Sequence, residues 1–183
     1  FHTLKAITDK GFDPLAFRLL VLQSHYRHQA HFSWDNLTAA QNRLKDFRAM
    51  AALRWQARPT VGDAATFALE DVPLELARIM AEDLDTPRAL AFLSQVSNQL
   101  STVLIEQDMR GHFETMLQGI DDLLGLGLNQ VKDITDEQKQ LIVEREQARQ
   151  AKDWAKSDEI RDRLAGQGIG LRDVDGGAIW FPA

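Results

Sequence analysis

Apolar residues recur at helical spacing through the first two thirds of the chain. Asp13 and Pro14 supply a capping residue and a first-turn proline, a common helix start, and the heavily apolar run after them predicts a largely buried helix. Ser33 opens a second predicted helix, whose apolar stripe continues to Trp55. Residues 57–70 contain a proline and a glycine without clear periodicity, and we expect them to form a loop.

Further helices complete the predicted bundle. The pattern predicts a helix over residues 73–84, and Thr86 and Pro87 begin the next one. Another segment with apolar residues at helical spacing ends at Leu124. Four or five helices joined by short loops predict an all-α bundle over residues 1–125.

The remaining residues, 126–183, predict a separate small module. The glycine-containing segment GLGLNQVKD interrupts the periodicity, and we place the domain boundary there. Thr135 then caps a polar helix, and a shorter helix follows over residues 154–164. Two short apolar runs flank the glycine-rich turn at residues 175–177, which is typical of a β-hairpin. The predicted fold is therefore mainly α, a helical bundle followed by a small α+β C-terminal module with a helical hairpin and a β-hairpin.

Composition limits the possible functions. The 183 residues include no cysteine, which removes disulfides and thiolate-based zinc or iron–sulfur sites. No stretch approaches the roughly 18 apolar residues that span a bilayer, and the first residues lack the apolar core of a signal peptide. We therefore expect a cytoplasmic protein with no membrane partner. The formal net charge of −6 means that any RNA contact must come from a local patch.

The residues that could support chemistry do not form a complete site. His25, His28 and His31 superficially resemble a metal cluster, but on a helix the third histidine drifts off the face that the first two share. No carboxylate or cysteine completes the set, so we predict no metal site. Asp121 and Asp122 belong to acids that flank predicted helix ends, where acids are routine. We predict no catalytic residue in this chain.

Cations, acids and two tryptophans are concentrated near the C-terminus. Cations contact phosphates, and an exposed aromatic ring offers a face on which an unpaired base stacks. Interleaved carboxylates accept hydrogen bonds from base amino and imino groups. The alternative is a solvated helix with ion pairs and a core tryptophan, and spacing alone favours that alternative. The cations are Arg145, Arg149, Lys152, Lys156, Arg161, Arg163 and Arg172, the acids Asp153, Asp158, Asp162 and Asp173, and the tryptophans Trp154 and Trp180.

Three segments resemble one protein family. The stretch ARQAKDWAKSDEIRDRLAGQGIGLRDVDGGAIW resembles the end of bacterial cysteinyl-tRNA synthetases. Earlier, GFDPLAFRLLVLQSHYRHQAHFSWDNL and MAEDLDTPRALAFL resemble two other blocks of that family, with Glu82 where an aspartate is usual. The resemblance covers essentially the whole chain in the family's order. The C-terminal matches are Arg149, Lys152, Asp153, Trp154, Asp158, Arg161, Asp162, Leu164, Gly168, Ile169, Leu171, Asp173, Gly177 and Trp180.

The resemblance implies a bundle of the class I synthetase anticodon-binding type and a module that grips the anticodon loop of cysteine tRNA, whose anticodon is GCA. It implies that Trp154 stacks on a base, whereas Trp180 either joins it or belongs to the hairpin core. It further implies a monomer that partners tRNA and the catalytic domain of the same parent chain. The tRNA-binding residues so implied are Arg149, Trp154, Asp158, Arg161, Asp173 and Trp180.

The family's nucleotide-binding domain, with its ATP site and zinc ligands, has no counterpart in this sequence. The first four residues, FHTL, resemble the junction after the family's KMSKS loop. We therefore expect an ATP- and zinc-dependent cysteine–tRNA ligase as the parent, and a chain that is inactive alone and holds neither cofactor. Two alternatives are a helical protein-interaction module without RNA binding and a relative that ligates cysteine to an amino sugar. The RNA-reading tail disfavours the second.

Overall fold

The computed structural model describes residues 3–58, 68–103 and 105–183, and it confirms the mainly helical fold. Short 3₁₀ turns occupy Leu53–Trp55, Gln107–Met109 and Leu128–Gln130. The helices are α1 (Leu4–Asp9), α2 (Pro14–Leu22), α3 (Trp34–Ala52), α4 (Asp71–Ala81), α5 (Thr86–Leu100), α6 (Arg110–Leu124), α7 (Asp136–Gln150) and α8 (Trp154–Gly166), and the strands are β1 (Ile169–Val174) and β2 (Gly177–Pro182).

Local capping explains why several predicted helix starts are confirmed. The Asp13 carboxylate accepts a hydrogen bond from the Leu15 amide at 2.8 Å, which satisfies a free donor of the first turn of α2. Ser33 caps α3 in the same way, through the Asn36 amide at 3.0 Å. The short helix α1 was not predicted, because its six residues bury only Ile7 and give no readable period.

The boundaries around α4 differ from the prediction. This helix begins at Asp71 rather than residue 73, and it ends at Ala81 rather than residue 84. It ends early because Asp83 and Leu84 adopt left-handed backbone angles, φ 59° and 53°, which a right-handed helix cannot contain. Most of the loop predicted before it, residues 59–67, lies outside the described residues, as do the first two residues of the predicted junction.

The core of the bundle forms between α2, α3, α4, α5 and α6. Phe47 of α3 and Phe113 of α6 are among its largest fully buried side chains. Helices α4 and α6 approach closely where Gly119 meets Pro73, since a Cβ at Gly119 would lie 2.6 Å from the proline Cβ. Among the described helices, none combines the length and apolar character required to cross a membrane.

The module packs against the bundle through shared interiors. Helices α7 and α8 pair with each other, and β1 and β2 form an antiparallel hairpin in which Leu171 opposes Trp180. Ile179 of β2 inserts into the bundle core, whereas Ala52 and Trp55, at the end of α3, enter the module core. The two predicted regions therefore meet through apolar side chains that each contributes to the other's core.

Candidate nucleic-acid interface

A tight corner between α7 and α8 sets the geometry of the candidate site. At the end of α7, the Asp153 amide donates to the Ala148 carbonyl at 2.8 Å and the Lys152 amide donates to the Arg149 carbonyl at 3.0 Å. This pair of bonds is the Schellman arrangement, in which one residue must be left-handed. Lys152 fills that position with φ 59°, where glycine is usual. Two backbone hydrogen bonds therefore close the end of α7 at this corner.

The same corner starts α8 and exposes its first residue. The Asp153 carboxylate accepts from the Lys156 amide at 3.1 Å, which caps the helix. Trp154 follows directly and is 57% exposed, an unusual state for so large an apolar side chain. Asp158 and Arg161 follow at spacings of four and three residues, so all three lie along one exposed face of α8.

The exposed face of α8 is distinct from its packing face. Ser157, Ile160 and Leu164 are buried and anchor the helix against the rest of the module. Because these anchors leave Trp154 free, its ring is held on a rigid element without being used for packing. This arrangement is typical of a recognition surface rather than of a core position.

Asp173 connects β1 to the end of α7. Its carboxylate accepts two hydrogen bonds from the Arg145 guanidinium, at 2.8 Å and 3.2 Å, and an Arg149 nitrogen lies 3.3 Å from one of its oxygens. The hydrogen bonds from Arg145 lower the pKa of the Asp173 carboxyl below its ordinary value, partial burial opposes them, and the charges of Arg145, Arg149 and Arg161 add to the lowering. Asp173 is therefore a fixed anion.

The structure brings five of the six predicted residues onto one side of the module. Arg149 and Asp173 contact each other directly, and Arg161 lies near enough to influence the Asp173 carboxyl. Trp154 and Asp158 share the exposed face that carries Arg161. We call these five residues the corner surface. It offers an aromatic face, two guanidinium groups and two carboxylates.

The expectation that Trp180 contacts RNA is corrected by its environment. Its side chain is 5% exposed and packs in the module core with Ile160, Leu164 and Leu171. Its backbone amide and carbonyl are both taken by the side-chain amide of Gln56, each at 2.8 Å. Trp180 is a packing residue, because the strand β2 turns this face towards α3 and α8.

The cations predicted as one group are dispersed. Arg145 is 1% exposed and lies inside the module. Arg172 donates to the Ser101 carbonyl at 3.1 Å, so it joins the hairpin to the bundle. Arg163 lies with Thr135 at the opposite end of α7 from the corner. Only part of the charge concentration seen in the sequence therefore belongs to the corner surface.

The buried position of Arg145 was missed from the sequence. Leu141, Arg145 and Ala148 follow helical spacing and form the buried stripe of α7. That spacing was a readable signal, since a stripe of this kind predicts burial of every member. A charged residue on such a stripe requires a partner, and that partner, Asp173, comes from a strand later in the chain.

Other candidates for chemistry, His25 and Asp121 among them, make structural contacts. His25 stacks on Tyr26 with ring centroids 4.8 Å apart, and the Tyr26 hydroxyl donates to Asp83 at 2.6 Å. The Asp121 carboxylate accepts from the Leu128 and Asn129 amides at 2.9 Å and 2.8 Å, closing the turn after α6. Within residues 3–58, 68–103 and 105–183, no group of three or more potential ligands is arranged to hold a metal ion.

Comparison with known proteins identifies the class of the module. The family described as "Cysteinyl-tRNA ligase anticodon binding domain" matches residues 131–180, which contain α7, α8 and most of the hairpin. The corner surface therefore lies within the segment that matches this anticodon-binding domain.

Relatives extend the match to nearly the whole chain. It is 34% identical to cysteine–tRNA ligase 1 of Burkholderia lata, over 99% of this chain and 36% of that protein. Cysteine–tRNA ligases of Leptospira interrogans and a Cyanothece species are 31% and 30% identical, over 98% and 99% of this chain and 41% and 43% of theirs. Over nearly its whole length the chain is similar to cysteine–tRNA ligases, and it spans about two fifths of the length of these relatives.

Proposed function

We propose that this chain binds cysteine tRNA, and that its corner surface holds the unpaired GCA bases of the anticodon loop. The exposure of Trp154 carries the proposal. An indole that stands in water at the start of a rigid helix offers a π-face for one base at little conformational cost. Stacking of the base on the indole would displace water from both surfaces. Such stacking contributes about 1–3 kcal/mol to the binding free energy.

The polar members of the corner surface supply discrimination. Loop bases expose their pairing edges, unlike bases in an A-form helix, so side chains reach them. Asp158 and Asp173 accept hydrogen bonds from amino and imino groups, whereas Arg149 and Arg161 donate to carbonyl and ring-nitrogen acceptors or to phosphates. A base that presents the wrong edge leaves a desolvated charge unpaired, which is costly.

The overall acidity of the chain fits a binding mode with few phosphate contacts. With a formal net charge of −6, the chain as a whole repels an RNA backbone at long range, so any attraction has to come from local cations. Affinity should therefore fall with rising salt, but with a shallow slope that reflects a small number of released counterions.

The proposed role of the chain is to position tRNA within a longer cysteine–tRNA ligase. The bundle would set the distance between the anticodon and the acceptor end, and the remaining length of the ligase would carry the catalytic domain, with the ATP and zinc that the resemblance implies. We assign no catalytic step to the described residues. We expect the chain to act as a monomer.

The test uses an anticodon stem-loop RNA with a GCA loop and a second RNA with a scrambled loop. Trp154→Ala should weaken binding of the GCA loop by about tenfold, the equivalent of about 1.4 kcal/mol of lost stacking. Trp154→Phe keeps a ring on which a base can stack and should retain most of the affinity. Leu74→Ala removes another exposed apolar side chain, on α4, and should change nothing.

Fluorescence gives an independent measurement. Stacking of a base should quench the parent chain, and the Trp154→Phe variant should bind without that quench. Equal affinity of the parent for the two RNAs, or an unchanged affinity in Trp154→Ala, would disprove the proposal. Failure to bind either RNA at low salt would favour the alternative of a protein-interaction module.

A further inference from the structure

We propose that Arg145 is a positioning residue of the corner surface, which fixes the carboxylate of Asp173 and, through it, the guanidinium of Arg149 in the geometry that discriminates between bases. This inference rests on the proposed function. It concerns a residue that the solvent, and therefore RNA, does not reach, since Arg145 is 1% exposed.

The contacts of Arg145 point outwards from the module interior. Two of its nitrogens reach both oxygens of Asp173, a fork that holds a carboxylate in one plane and one direction. Asp173 in turn lies 3.3 Å from Arg149, whose side chain is partly exposed. A buried cation thus orients an anion at the surface, and that anion orients the next cation.

Packing alone does not explain a cation at this position. Its neighbours on the stripe are Leu141 and Ala148, and an apolar side chain of similar volume would fill the same space without a desolvation cost. Arg145 also leaves its Nε buried without a partner, a further cost. The benefit therefore lies in what the guanidinium does to Asp173.

Fixing the carboxylate has a consequence for specificity. A free aspartate samples rotamers and adapts to several base edges, whereas a clamped one offers its remaining acceptor sites in a single direction. The charged groups that act on Asp173 are Arg145 and Arg149 on α7 and Arg161 on α8, and the Glu146 carboxylate contacts the Arg145 guanidinium at 3.2 Å. Loss of Arg145 would leave the exposed carboxylate free to rotate towards Arg149 or Arg161.

The experiment compares Arg145→Met, Arg145→Lys and the control Arg163→Met in the 183-residue chain. The control removes the same charge from Arg163, an exposed residue of α8 that lies near the start of α7, away from the corner. Affinities are measured for the GCA and scrambled stem-loops, and the Asp173 carboxyl is titrated by carbon-detected NMR. Arg145→Met should reduce the ratio of the two affinities by about tenfold and raise the pKa of Asp173 towards its ordinary value. Arg163→Met should change neither.

Arg145→Lys keeps the charge but not the fork, so it should fold like the parent and still lose part of the discrimination. If Arg145→Met does not fold, the affinities of Arg145→Lys for the two RNAs test the inference instead. Parent-like discrimination in Arg145→Lys, or a Met variant that loses stability but keeps the affinity ratio, would overturn the inference. If the parent itself binds the two RNAs equally, the proposed function is disproved. The titration of Asp173 then tests by itself whether Arg145 holds the carboxylate. A raised pKa in the Met variant supports clamping, and an unchanged one refutes it.

Discussion

Gln56 provides a sharp test of how the module is held on the bundle. This residue follows the 3₁₀ turn after α3, and its side-chain amide donates to the Trp180 carbonyl and accepts from the Trp180 amide, each at 2.8 Å. It thereby satisfies the two backbone groups that β2 turns away from β1, in the manner of a neighbouring strand. The same amide nitrogen also lies 3.2 Å from the Ala52 carbonyl.

Gln56→Ala should lower the free energy of unfolding by about 2–3 kcal/mol. Each of two partly buried backbone groups would lose its partner, at about 1–3 kcal/mol each, and water entering the vacated space would recover part of that cost. For a chain of this size, that change lowers the melting temperature by roughly 5–10 °C. Gln56→Glu keeps the shape but presents an acceptor to the Trp180 carbonyl, so it should be at least as destabilising at neutral pH.

Thermal unfolding measures the loss, and hydrogen exchange of the Trp180 amide locates it. Gln140→Ala, which removes an exposed glutamine from α7, serves as the matched control and should leave both unchanged. A Gln56→Ala variant that melts within about 1 °C of the parent, with the Trp180 amide still protected, would refute the claim that this side chain completes the strand.

Two further predictions concern the corner between α7 and α8 and the Asp173 carboxylate of the corner surface. Lys152→Gly should raise the free energy of unfolding by up to about 1 kcal/mol in thermal melts, since glycine adopts φ 59° without strain, and Lys152→Val should lower it. The pKa of Asp173 is depressed in the folded state, so its contribution to stability is present above the unfolded value of about 4 and is lost as pH falls through the folded value. Asp173→Ala should therefore lower the free energy of unfolding by about 2–3 kcal/mol at pH 7. The loss is smaller than for a fully buried ion pair because the Asp173 side chain is 37% exposed. In urea unfolding, the difference in free energy between this variant and the parent should shrink below about pH 4.

The sequence predicts best where local interactions decide the structure. The starts of α2 and α3 follow from Asp13 and Ser33, whose side chains cap amides only two or three residues away. Trp154 is exposed for a local reason too, although spacing alone favours a core tryptophan there and only the family resemblance implies an exposed one. Trp154 follows Asp153, the cap of α8, and the helical spacing of Ile160 and Leu164 assigns the packing face elsewhere.

The sequence fails where a partner lies far along the chain. Trp180 sits in a continuous apolar run, and only the docking of the hairpin covers both faces of β2, with Ile179 in the bundle core and Trp180 in the module core. The helical spacing of α7 indicates that Arg145 is buried, but it does not identify the partner Asp173, which β1 supplies 28 residues later. The early end of α4 likewise depends on Asp83, which Tyr26 and Arg27 hold from a distant segment.

The corner surface combines residues that are positioned by local interactions with a residue that is positioned by distant ones. The α7–α8 half, with Trp154, Asp158 and Arg161, is specified by caps and spacing within residues 131–180, the range that the family match covers. The Asp173 half depends on the hairpin, and the hairpin depends on the bundle, which supplies Ala52 and Trp55 to its interior and Gln56 to its edge. The proposed base stacking would therefore be a local property of the α7–α8 corner. The proposed base discrimination would require the bundle as well, because the bundle holds the strand that carries Asp173.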